Sequence, residues 1–88
     1  MTVPACLRED VATLLRCTAD RIARGEPDVW LSDTAWSLGW DPHDAVTLLA
    51  IRAETLVSLF VPDYEDGSDD HHHALLEAAA CVEQGTVP

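Results

Sequence analysis

The chain has 88 residues, 48% of them hydrophobic, and a formal charge of −11 from 16 acids set against five arginines, with no lysine. Charge of that sign and size repels nucleic acid and anionic membranes and draws the chain toward basic surfaces. The apolar share is ordinary for a globular protein, so acidity alone does not imply disorder, and the length suits one domain, 1–88, with a modest core.

The charge is divided unevenly. Arg8, Arg16, Arg21 and Arg24 stand beside Glu9, Asp10 and Asp20 in the first 25 residues, a net +1, whereas 13 acids against Arg52 give the remainder −12. From Pro4 to Arg24, Leu7, Val11, Leu14, Leu15 and Ile22, with Thr18 between them, recur at three- and four-residue steps, and the spacing predicts a helix over 4–24. Pro4 suits its first turn, Gly25 its left-handed cap, and Pro27 lies beyond. Its arginines are expected to pair with Glu9, Asp10 and Asp20 or to complement the helix dipole.

A short second helix is expected over 29–38, capped by Asp28 or Ser32, with Leu31, Ala35 and Leu38 inward and Gly39 ending it. Asp41 then reads as the cap of a third helix over 42–61, with Pro42 in its first position. Val46, Ala50, Ala53 and Val57 widen its apolar stripe, leaving Thr47, Glu54 and Ser58 as a narrow wet side. A helix so broadly apolar belongs at the centre of a bundle or in a subunit interface. Pro62 stops it. An acidic loop with Asp63, Glu65 and Asp66 follows, and then a fourth helix over 69–84, capped by Ser68 and ended by Gly85. Leu75, Leu76, Ala79 and Val82 are its inward residues. No period-two apolar pattern suggests a strand, so the fold class expected is all-α, a bundle of about four helices.

The run from Leu31 through Ala35, Gly39 and Asp41 to Leu49 resembles a helix-turn-helix. Ala35 would stand at the helix crossing, Gly39 in the turn, and Ala45 or Val46 with Leu48 as apolar anchors. Asp41, His43 and Asp44 would then face the groove, where a DNA reader needs basic or amide side chains, so the likeness implies a scaffold without direct nucleic-acid binding.

Other constellations carry less chemistry. Asp69-Asp70-His71-His72-His73 places His73 four residues from both Asp69 and Glu77, a spacing that can chelate a divalent metal. A complete ligand set is lacking, and solvated histidines at an acidic helix start explain the run, so neither metal nor cofactor is expected. No serine or threonine has a histidine and an acid at catalytic spacing, and no glycine-rich phosphate loop occurs, so no enzymatic activity is expected. Cys6, Cys17 and Cys81 form no Cys-x-x-Cys pair. Reduced thiols, a cytoplasmic location and no secretory leader are the corresponding expectations. The most apolar stretch, 45–61, includes Arg52 and Glu54 and is no membrane span. Trp30, Trp36 and Trp40 lie within eleven residues; at least two should fill the core, leaving one as an anchor among acids.

The expected function is a non-enzymatic acidic protein-binding module that occupies a basic, nucleic-acid-binding surface of a partner protein, as a DNA- or RNA-mimicking inhibitor. Duplex DNA carries one negative charge per ~1.7 Å of axis, and acids on helix starts and loops can reproduce part of that array. Asp41, Asp44, Asp63, Glu65, Asp66, Asp69 and Asp70 are the expected contacts, with Trp40 as the aromatic one. In size, charge and helicity the chain resembles the small acidic inhibitors of phages and mobile elements, anti-CRISPR proteins among them; that likeness rests on no motif. The alternative is a dimeric regulatory or antitoxin-like protein on a helix-turn-helix scaffold, paired through the 42–61 helix.

Overall fold

The computed structural model describes residues 2–26, 29–60, 68–85 and 87, with backbone alone at 60 and 68–70. Four helices follow in order: α1 Ala5–Ala23, α2 Leu31–Ser37, α3 Ala45–Phe60 and α4 Ser68–Gln84, with no strand among the described residues. The expected all-α bundle is therefore what forms. Its Cα extents of 32 × 28 × 16 Å describe a slab, and a thickness of 16 Å accommodates two helix layers spaced about 8–10 Å apart.

Helix α1 is the hub. It packs most extensively on α4 and also touches α2 and α3, while α3 touches α2 and α4. Alanines explain the close α1–α4 approach: Ala12 and Ala19 of α1 and Ala78 and Ala79 of α4 are all buried. The largest fully buried side chains include Leu14, Leu15, Leu75, Val3, Val11, Val57 and Val82, so the core is aliphatic. Where small residues line the helix faces, backbones come close and little room remains for an indole.

Two glycine-ended helices close as expected from the sequence. At α1, Gly25 has φ 84°, its N–H reaches the Ile22 carbonyl, and the Glu26 N–H reaches Arg21. At α2, Gly39 has φ 80°, its N–H reaches Trp36, and the Trp40 N–H reaches Ala35. Both are Schellman closures, which need a left-handed residue just past the last turn.

Several inward and capping assignments are corrected. The second helix starts at Leu31 with Trp30 as its N-cap in extended conformation and no side-chain cap bond, so Ser32 lies inside the helix; Asp28 is outside the described residues. Helix α3 begins at Ala45, not 42. Asp41 instead accepts the His43 N–H on Oδ1 (2.8 Å) and the Asp44 N–H on its carbonyl (3.1 Å), forming a turn. Asp44 is the cap: its Oδ1 accepts the Val46 N–H at 2.8 Å and its carbonyl accepts the Leu48 N–H. The inward face of α3 also differs from expectation. Thr47, expected on the wet side, is fully buried, and its hydroxyl donates to the Asp41 carbonyl at 3.3 Å. Leu48 turns outward with Ile51 and Leu59, at 55%, 39% and 70% exposure. Leu38 and Leu76 are exposed too, Thr34 and Ala78 taking the inward positions. As helix-turn-helix anchors, Val46 is buried whereas Ala45 and Leu48 are not, and the link 38–44 exceeds the three- or four-residue turn of that motif.

Candidate protein-binding surface

The tryptophans do not fill the core. Trp30 is 64% exposed and Trp36 75%, while Trp40 alone is partly buried against the core cluster. Register explains this. With Leu31 and Ala35 inward on a seven-residue helix, Trp36 falls about 100° around from Ala35 and cannot share its face. Trp30 precedes the helix on extended backbone, on the other side from Leu31. Gly39 reverses the chain and folds Trp40 back against the bundle.

Two clefts result. The first, 430 Å³, is lined by Trp36, Gly39, Trp40, Asp41 and Pro42. The second, 290 Å³, has Trp30, Leu31, Ile51, Glu54 and His71 among its walls, and there His71 Nε2 meets Glu54 Oε1 at 2.8 Å, tying α4 to α3. Ile51 also borders an open groove with Pro4, Leu7, Leu48 and Arg52, so apolar surface runs across the outer side of α3.

Among the expected contact residues, Asp41 is exposed at the first cleft and Asp44 is exposed at the start of α3, where capping already engages one of its oxygens. Trp40 is a wall of that cleft, not a free anchor. The exposed indoles are Trp36 and Trp30, a distinction that helical register in the sequence carried. Asp63, Glu65 and Asp66 lie outside the described residues, as do the side chains of Asp69 and Asp70 in the first turn of α4. Structure thus brings Trp36, Trp40 and Asp41 together.

The basic N-terminal helix is neutralised by the fold. Arg16 pairs with Glu83 of α4, Arg24 with Asp20 at 3.2 Å and Arg21 with Glu26 at 3.3 Å. The Arg24–Asp20 pair follows the sequence expectation, whereas Glu83 and Glu26 are partners found by folding. The hydrogen bond from Arg16 holds the Glu83 carboxyl below its ordinary range, and the same bond holds the Arg16 guanidinium above its own. Arg8 donates from Nε to the Val3 carbonyl at 3.2 Å. Arg52 is exposed on α3, facing the groove.

Thr18, Thr34, Ser37, Thr47 and Thr55 each donate a hydroxyl to a backbone carbonyl. Among the described residues no three histidines, cysteines or acids are grouped to hold a metal ion; pairing of His73 with Asp69 involves a side chain outside them. The three cysteines are free thiols, and no described helix is long and apolar enough to cross a membrane.

Comparison of the chain with family models, with curated proteins and with solved structures gave no match. Fold and surface together define an acidic four-helix bundle that presents tryptophans to solvent at two clefts.

Proposed function

We propose that the chain is a non-enzymatic, cytosolic binding protein whose acidic, tryptophan-bearing surface occupies a basic, nucleic-acid-binding site on a partner protein and inhibits it. The observation that carries this reading is the exposure of Trp36 and Trp30 on a molecule of charge −11. Large exposed indoles are costly to leave in water and typical of interface anchors. Internal ion pairs engage Arg16 and Arg21 of α1 and Arg24 just beyond it, so these bases are taken up within the fold and the net acidity is left to act on a partner. Long-range attraction would speed encounter with a basic surface, and burial of an indole would slow release. Asp41 and Asp44, with Asp63, Glu65, Asp66, Asp69 and Asp70, are the proposed electrostatic contacts.

The test is retention of host proteins by the immobilised chain over a salt series, with competition by nucleic acid. Expected is a basic nucleic-acid-binding protein that leaves the column as salt rises and that nucleic acid displaces. Retention indifferent to salt and to charge reversal at Asp63, Glu65 and Asp66 would refute the proposal.

A second reading is a homodimeric regulatory or antitoxin-like protein joined through α3, favoured by the exposed stripe of Leu48, Ile51 and Leu59. The two readings respond oppositely to salt. Two copies of charge −11 repel, so screening should strengthen a dimer while it weakens binding to a basic partner. Light scattering at low and high salt distinguishes them.

A further inference from the structure

We infer that the cleft between Trp36 and Trp40 is a receptor for a single arginine side chain of a basic protein, with Asp41 as the carboxylate that pairs with the guanidinium. This assignment rests on the proposed reading of the chain as a binder of basic surfaces, and it names the chemical group that is bound and the place that binds it.

Three features of the cleft select a planar cation. Its walls are two indoles four residues apart, held on either side of the left-handed Gly39 that reverses the chain. Neither indole is stacked on another ring or covered by a cation among the described residues; Trp36 is open to solvent, and Trp40, packed on the core, offers the cleft the part that core contact leaves uncovered. The cleft volume, 430 Å³, lies within the ~300–1,000 Å³ range of small binding sites.

Charge is placed to match. Asp41 is exposed and makes no ion pair with any described residue. Its Oδ1 is fixed by the His43 N–H at 2.8 Å, which orients the carboxylate while leaving Oδ2 to accept from a ligand. Asp44 adds a second negative charge three residues on. No basic residue is among the described residues that line the cleft, and Arg52 borders the separate groove along α3. In the Trp30 cleft the corresponding acid, Glu54, is already engaged by His71, which makes that site a poorer receptor for a cation.

Arginine fits better than lysine. A guanidinium is flat, lies against an indole face and still donates in its own plane to a carboxylate, whereas an ammonium is compact and more strongly hydrated. The same cleft would discriminate against a quaternary ammonium, which has no proton to give Asp41.

The experiment is a titration of the full chain with the capped pentapeptide Gly-Gly-Arg-Gly-Gly, observed through the indole N–H resonances, with the lysine pentapeptide in parallel. Expected are shifts of the Trp36 and Trp40 signals with the Trp30 signal unmoved, and binding about two- to fivefold weaker for lysine. Asp41→Asn should weaken arginine binding while preserving the fold, because the amide oxygen still accepts the His43 N–H and only the charge is lost. Trp36→Ala should abolish the shift at Trp40, and the exposure of Trp36 makes that variant structurally mild. Unmoved Trp36 and Trp40 signals, equal shifts at Trp30, equal binding of lysine, or indifference to Asp41→Asn would each overturn the assignment. The pentapeptide needs no natural partner, so the result is separable from the proposed function. If the chain retained a basic protein in the salt series while the cleft ignored arginine, the inference would fail and the broader reading would stand.

Discussion

Replacing Trp36 with alanine separates an interface tryptophan from a core one. Trp36 is 75% exposed, so only about a quarter of the indole is covered. One quarter of roughly 250 Å² is about 60 Å², or ~1.5 kcal/mol at ~25 cal/mol per Å², an upper bound that the retained Cβ and a compact unfolded chain reduce to about 1 kcal/mol. For a domain of this size that corresponds to a fall in Tm of about 4–8 °C. Leu15, fully buried between the helices, provides the contrast, because truncating a buried leucine to alanine costs about 2–5 kcal/mol. Thermal and urea unfolding followed by helical circular dichroism would measure both variants. Acrylamide quenching of the intact protein should find two of its three indoles accessible, and Trp36→Ala should remove one of them. If Trp36→Ala destabilised the protein as much as Leu15→Ala, or if all three indoles resisted quenching, the exposure argument and the binding surface built on it would be wrong.

Three further outcomes follow from the geometry. Glu83→Gln should lower the urea midpoint near neutral pH. The Glu83 carboxyl is held below its ordinary value in the folded state, so its contribution is present above about pH 4.3 and is lost as pH falls through the lower folded value. The difference from wild type should accordingly vanish in acid, and a difference that grew in acid would contradict the pair. Gly39→Ala should cost about 1 kcal/mol because φ of 80° is left-handed, and Gly39→Asn should cost less; equal costs would argue against the Schellman closure of α2. Cys6, which is exposed, should be alkylated before Cys81, whose thiol is pushed up by burial and by the charge of Glu77; mass spectrometry of partial labelling with iodoacetamide checks the order, and urea should abolish it.

The sequence by itself determined the four helices, because apolar spacing is local and Gly25 and Gly39 punctuate it with a conformation few other residues accept. The acidic balance, too, is a property of composition. Boundaries depended on finer chemistry. Asp41 and Asp44 are both competent caps, and the choice of Asp44 followed from the turn that Asp41 makes with His43 and from burial of Thr47 beneath it. Helical register set which side of α2 Trp36 takes, and tertiary structure decided how much of each apolar face is covered. The alanine-lined contact of α1 with α4 brings those helices close, Leu14, Leu15 and Leu75 fill the space, and the indoles of Trp30 and Trp36 are left outside. Likewise, the Arg16–Glu83 pair joins residues 67 apart in the chain, a match that spacing on one helix could not reveal. Local periodicity specifies which face of a helix is apolar, but the neighbour's size and distance determine how much of that face is covered, and the uncovered part became the candidate surface.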